Sequence, residues 1–244
     1  EEVEKIADVQ IFSAGALGDG EEDINDLYAA IDQADLLLLN ETASDPIWKE
    51  INEYIKNATR PMAYVGGEAA THVKTPQQAK WTAFANAYYT YGGAENTLNM
   101  LRWLCAEVLG ESMTYGEVQR IPWDAIFASD GTLYDSPESY FVDHSRCEKG
   151  TIALVISRSA WVSDDMQVEN CLIREIQNAG FSVLPIFTYA MADKNLGAYG
   201  VEAALEKFCF LADGTPCVDG MIRLAGMFNH GASSEVMQKL GIPV

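Results

Sequence analysis

Basic side chains are scarce in this sequence. Sixteen Lys and Arg stand against 36 Asp and Glu, for a formal net charge of -20. A surface of that sign repels phosphate backbones and anionic headgroups, which argues against nucleic-acid and membrane-surface roles. It also keeps a protein in solution, which is the plainer reason for such a composition. Long apolar runs are missing too: nothing approaches the roughly 20 residues of a membrane span, and no leader pattern opens the chain. Cysteine is present five times without any C-x-x-C spacing. Cys105, Cys171 and Cys209 lie in apolar segments, where a thiol packs as a small hydrophobe. An odd, unspaced set predicts reduced thiols and a cytoplasmic setting. The three histidines, His72, His144 and His230, are isolated, so no H-x-x-x-H or Cys/His metal spacing exists.

What is present is ordinary globular material, 48% hydrophobic and 21% charged over 244 residues, enough for two small domains or one large one. Residues 8–13 ("DVQIFS"), 36–39 ("LLLL") and 61–65 ("PMAYV") are short apolar runs that read as strands covered on both faces. Amphipathic stretches at 22–33 and 45–56 alternate with them, the second with Ser44 or Asp45 as N-cap and Pro46 in its first turn. Residues 76–90 and 94–110 predict two consecutive helices broken by Gly92-Gly93, and the Pro-, Asp- and Tyr-rich stretch 111–149 reads as a connector. From residue 151 the alternation resumes: strand "TIALVIS", helix 164–178 with Val168, Leu172, Ile173 and Ile176 inward, and strand "FSVLPIF". Helix 199–208, strand "VDGMIRLAG" and helix 231–240 follow. The expected fold is α/β, two Rossmann- or flavodoxin-like parallel-sheet units (1–75 and 150–244) joined by a helical segment and connector (76–149). The missing initiator Met, and a last segment that reads as a strand just opening, suggest a piece of a longer polypeptide.

Several motifs bear on chemistry. "SAGALGDGEED" (13–23) puts glycines between a strand and a helix, but it has no Lys and three carboxylates crowd the helix start. It reads as a flexible turn rather than a phosphate loop. In "VISRSAWVSDDMQVEN" (155–170), Arg158, Ser159 and Trp161 occupy the loop after a strand, with Ser163 as the next N-cap. That loop opens on the edge where α/β sheets bind ligands. Arg158 and Trp161 suit a carboxylate and a planar ring, or equally a bond to loop carbonyls and a cover for the core. His144 reads as solvated, whereas His230 follows a strand on the ligand edge, where turn capping and ligand contact both stay open. In "YGGAEN" (91–96), Gly92 and Gly93 permit positive φ and Glu95 suits a helix start. Asn96 is left without a local explanation.

"YGGAENTLNMLRWL" resembles the GG-x-E-N…LLR-x-L segment of the large subunits of cobaltochelatase and magnesium chelatase. The order of "ADLLLLNETASDPIWKEI", "PESYF", "IALVISRS", "GFSVLPIF" and "VDGMIRL" matches that family as well. One departure is "AIFASDG", where Ala128-Ser129 replace a His-Pro. The resemblance implies the amino-terminal part of a very large subunit that binds a tetrapyrrole. It further implies insertion of cobalt or magnesium with ATP supplied through partner AAA-type ATPase subunits. This stretch would hold no catalytic residue, metal ligand or cofactor of its own. Its substrate-facing residues would be Tyr91, Gly92, Gly93, Glu95, Asn96, Arg158, Ser159, Trp161 and His230. Two other readings remain at this stage: a two-lobed small-molecule receptor, and a non-catalytic or metal-removing tetrapyrrole-binding relative.

Overall fold

The structure, a computed structural model, describes residues 2–41, 46–56, 58–67, 69–189, 191–225 and 233–243. The chain forms two compact units, Glu1–Arg120 and Ile121–Val244. Among the described residues no helix is long and apolar enough to cross a membrane.

Unit 1 holds helices α1 (Ala14–Asp19), α2 (Ile24–Gln33), α3 (Ile47–Ile55), α4 (Pro76–Tyr91) and α5 (Ala94–Leu104), with strands β1 (Leu37–Leu39) and β2 (Met62–Tyr64). The strands pair in parallel, Leu37 opposite Met62 and Leu39 opposite Tyr64. The pleat sends alternate side chains to opposite faces. Leu37 and Met62 join Ile31, Ile51 and Ile55 on one side. Ala63 and Val65 join Ala85, Tyr88, Trp103 and Leu104 of α4 and α5 on the other. Local chemistry sets the helix ends. Asp23 caps α2 by accepting from Asn25 N–H at 2.8 Å, and Thr75 caps α4 from Gln78 N–H at 3.1 Å ahead of Pro76.

Two expectations for this unit fail. Residues 7–13 form no regular element; Asp8 and Gln10 interrupt the apolar run, and Ile11 is 83% exposed. The glycine-rich stretch is not a loose turn either, since α1 occupies most of it and Glu22 accepts the Ser13 N–H at 2.9 Å. The N-cap of α3 is Pro46; Ser44 and Asp45 lie outside the described residues.

Unit 2 holds β3 (Ala125–Phe127), β4 (Leu133–Tyr134), α6 (Pro137–Asp143), β5 (Thr151–Ser157), α7 (Arg158–Val162), α8 (Gln167–Asn178), β6 (Ser182–Thr188), α9 (Val201–Phe208), β7 (Gly220–Arg223) and α10 (Ser233–Leu240). One five-stranded sheet runs in the order β4-β3-β6-β5-β7. β5 is parallel to β6 and β7, while β3 is antiparallel to both β6 and β4. Alternation along β5 and β6 fills two cores. Ala153, Val155, Leu184 and Ile186 meet Leu205 and Phe208 of α9 on one face. Leu154, Ile156, Val183 and Phe187 meet Leu172, Ile173 and Ile176 of α8 on the other.

The α/β reading holds, with the sheet of unit 2 mixed rather than wholly parallel. The stretch 76–149 is shared out: α4 and α5 pack on β2 in unit 1, and residues from 121 onward supply two strands and α6 to unit 2. Its strands are only two or three residues long, too short for sequence periodicity to reveal. α8 begins at Gln167 after Met166, not after Ser163, because α7 takes up residues 158–162. Val168 therefore faces outward, 62% exposed. All five cysteines are free; Cys171 and Cys147 are exposed, while burial holds the Cys217 thiol up at about 12.

The second unit should lose stability sharply when its core is opened. Leu205→Ala removes a fully buried side chain of α9, and the expected loss is about 2–5 kcal/mol in urea unfolding followed by circular dichroism. A loss below about 0.5 kcal/mol would contradict this packing.

Candidate functional site

The Gly92-Gly93 turn is built from the backbone outward. Gly92 ends α4 with φ 68° and Gly93 starts α5 with φ 87°, and two successive positive values restrict the pair to glycine. Asn96 lies one turn into α5 and is 1% exposed. Its Nδ2 donates to Gly92 O at 2.7 Å and to Gln119 O at 2.8 Å, and its Oδ1 accepts from Gln119 N–H at 2.8 Å. Asn99 adds a second tie, accepting from Gly116 N–H at 2.9 Å, and Tyr88 donates its hydroxyl to Gly116 O at 2.7 Å. Asn96 is thus a clasp between the glycine turn and residues 116–119, with both amide protons engaged, rather than a ligand-facing group. Glu95 accepts from Asn99 at 2.9 Å, stands 3.8 Å from Arg102, and keeps about half its side chain (52%) exposed. Tyr91 is half-buried at the end of α4.

The second group of candidates follows β5. Ser157 Oγ caps α7 by accepting from Ser159 N–H at 3.3 Å and lies 2.7 Å from Ser159 Oγ. Arg158 is 5% exposed. Its Nε donates to Pro122 O at 2.8 Å, its Nη2 to Ile121 O at 3.2 Å, and its guanidinium lies 4.1 Å from the centre of the Trp123 ring. Trp161 stacks on Phe187 at 5.5 Å and covers the core. Of the two uses open to Arg158 and Trp161, the structure shows the architectural one; Ser159 alone of the three is exposed. Gly92, Gly93, Glu95 and Asn96 cluster in unit 1, and Arg158, Ser159 and Trp161 in unit 2. His230 lies outside the described residues. Ala128 and Ser129 form the β3–β4 hairpin turn, closed by Ala128 N–H to Thr132 O at 2.9 Å.

Three polar groups at the carboxyl ends of the strands escaped the sequence reading. Asn40, just past β1, donates to Tyr89 at 2.8 Å. Gly66 (φ 97°) crowds so near that a Cβ there would lie 2.5 Å from Asn40 Oδ1. Beside it Glu41 faces His72. In unit 2, Asp124 is 6% exposed and accepts from Thr188 Oγ1 at 2.5 Å, Tyr199 N–H at 2.8 Å and Tyr189 N–H at 3.3 Å. Burial raises its pKa, against the lowering effect of those bonds and of Lys207. A polar residue beside a strand end was the available signal, but it is too common to single out these three.

Asn96→Ala should destabilise unit 1 by about 1–3 kcal/mol, since it removes three hydrogen bonds made by a buried amide to Gly92 and Gln119. Glu95→Ala should change stability by less than about 0.5 kcal/mol. Equal losses in urea unfolding would refute the clasp. Asp124→Asn should cost about 1–3 kcal/mol, because an amide cannot accept along both edges. The raised pKa means that the folded state binds this proton more readily than the unfolded state. The contribution of Asp124 therefore grows as pH falls, and the gap between wild type and Asp124→Asn should widen from neutrality down toward the ordinary carboxylate range, about pH 4. A gap that narrows over that interval would contradict the assignment.

Comparison with known proteins places these features in a family. Residues 86–244 match the CobN/Magnesium Chelatase family. An uncharacterised protein of Methanocaldococcus jannaschii, MJ1441, is 27% identical over 221 residues, spanning 86% of this chain and 16% of that protein. The catalytic subunit of cobaltochelatase from Mycobacterium tuberculosis superposes with a TM-score of 0.52 at 17% identity, over 83% of this chain and 15% of that one. The chain thus spans about a sixth of the length of these relatives. The glycine turn, its Asn96 clasp and the Arg158 anchor all fall within the matched residues, and the chain belongs to the CobN/magnesium chelatase family.

Proposed function

We propose that this chain contributes to the tetrapyrrole-binding subunit of a metal chelatase, in the cytoplasm. The observation that carries this reading is the family match over residues 86–244, which includes both motif regions. In such a reaction a divalent cation, cobalt for a corrin precursor or magnesium for a porphyrin, replaces two pyrrolic protons. A base must take those protons, and the ring must bend to offer its lone pairs. ATP hydrolysis by AAA-type partner subunits would drive the exchange, as ligase chemistry, and the reacting groups would sit elsewhere in a longer protein.

Within this chain the geometry supports a division of labour. Asn96, Arg158 and Trp161 are positioning residues, committed to backbone or core. In unit 1 Glu95 is exposed and Tyr91 half-buried, and these two are proposed as ring contacts, through a hydrogen bond to a peripheral group and an aromatic face.

Titration with a metal-free dicarboxylic porphyrin, followed at the Soret band, tests this. A saturable shift is expected with Kd in the micromolar range, about -8 kcal/mol. Glu95→Ala should weaken it by about threefold to tenfold, the worth of one hydrogen bond. Absence of any shift at about 100 μM porphyrin, some 5 kcal/mol of affinity, would remove the tetrapyrrole reading.

A further inference from the structure

Past the carboxyl end of β1 the chain leaves the sheet at Asn40 and Glu41. The turn Ala69–His72, which follows β2, carries His72 back against them. Glu41 Oε2 lies 3.1 Å from His72 Nδ1, yet Oε2 accepts no hydrogen bond. The ring nitrogen therefore stands beside the oxygen without aiming an N–H along the line between them. Oε2 is buried, and so is His72 Nε2, which has no partner either. Native proteins rarely leave buried polar atoms in that condition, and each instance calls for an explanation.

Both groups are nevertheless held in place. Glu41 Oε1 accepts from Asn52 Nδ2 at 3.0 Å, which turns Oε2 toward the imidazole. The imidazole stacks on Tyr64 with ring centres 5.3 Å apart. Only 11% of the Glu41 side chain and 21% of the His72 side chain are exposed. Two donor atoms are thus fixed side by side in a sheltered corner, and no hydrogen bond among the described residues fixes the imidazole tautomer.

This is the spacing of two ligands that share one cation. Donor atoms about 2.0–2.1 Å from a common ion, about 100° apart as seen from it, lie about 3.1 Å from each other. That angle falls between the octahedral and tetrahedral values. An imidazole paired with a carboxylate suits first-row transition dications, whereas magnesium and calcium take oxygen ligands. Asn52 plays the orienting part that an outer hydrogen bond plays for a ligating carboxylate. No group of three His, Cys, Asp or Glu forms among the described residues. The remaining positions would fall to water or to an incoming ligand, which describes an exchanging site rather than a structural one.

We propose that Glu41 and His72 form a two-ligand seat for a first-row transition-metal dication at the carboxyl edge of the β1–β2 pair. The role of that metal as the cation to be inserted rests on the chelatase reading; the seat itself does not. A plain ion pair, the competing account, would leave cation binding insensitive to either side chain.

Calorimetric titration of the metal-stripped protein with cobalt(II) chloride, with visible absorption recorded in parallel, separates the two. One equivalent should bind and develop a ligand-field band. Glu41→Gln, close in shape to the native side chain, and His72→Gln should each weaken binding by about tenfold or more, with circular dichroism unchanged. A tenfold excess of magnesium, an oxygen-seeking ion, should not displace the cobalt. No saturable binding up to about 1 mM cobalt, or cobalt binding that both variants leave intact, overturns the seat. The porphyrin titration needs no cobalt, so the two readings fail separately. A Soret shift without cobalt binding ends the seat alone, and cobalt binding without a Soret shift ends the chelatase reading alone.

Discussion

One buried amide, that of Asn96, controls how unit 1 is assembled. Its three hydrogen bonds join a turn that only glycine can make to the segment leaving the helical pair. With the turn fixed, α4 is held against β2, and α4 in turn completes the strand. Thr82, Asn86 and Tyr89 recur at helical spacing on one face of it. Thr82 Oγ1 accepts from Tyr64 N–H at 3.1 Å, Asn86 Oδ1 accepts from Gly66 N–H at 2.8 Å, and Tyr89 accepts from Asn40 at 2.8 Å. A two-stranded sheet leaves unpaired backbone groups along its sides, and burying them unpaired would be costly. Here a helix supplies the partners. The corner occupied by Glu41 and His72 is therefore framed by the same α4 whose end the Asn96 clasp secures.

Unit 2 reaches a comparable result by different means. Its central strands, β5 and β6, are buried on both faces and need no helix side chains to complete their ladders, because each has a strand on either side. The polar anchoring is concentrated at one end instead. β3 runs antiparallel to β6, so Asp124 at its start meets Thr188 and Tyr189 at the end of β6. Arg158, at the end of β5, reaches the carbonyls of Ile121 and Pro122 just before it. A buried guanidinium and a buried carboxylate thus fix the same short stretch, 121–124, from its two sides. This is why loss of either should disturb the carboxyl edge as well as the stability of the unit.

Much of this architecture was legible in the residues. The strands Thr151–Ser157 and Ser182–Thr188 are continuous apolar runs bounded by turn residues, and both formed where they read. Helices with strong caps, such as α4 after Thr75-Pro76, were equally plain. What escaped was short or depended on distant partners. β3 and β4 are strands only because β6 lies alongside, and the run 8–13 pairs with no strand among the described residues. Asn96 looked unexplained because its partners, Gly92 and Gln119, include one 23 residues away. Arg158 and Trp161 had two credible uses from composition, and only the positions of Pro122, Trp123 and Phe187 separate them. The family motif was therefore easier to recognise than to interpret: its most specific letters serve the fold.

Charge supplies the last constraint. At -20 the protein repels anions and draws cations over distances of the Debye length, about 8 Å at physiological ionic strength. A tetrapyrrole bearing carboxylates would approach against that field, so its affinity must come from ring stacking and short-range bonds rather than from steering. A divalent metal would approach with the field. Asn52, Tyr64 and His72 around Glu41 then matter as selectors: an acidic surface gathers any dication, and an imidazole beside a carboxylate retains the first-row transition ions. The same composition that argues against nucleic acid would thus favour the cation of the proposed seat and leave an anionic ring to be recognised at contact.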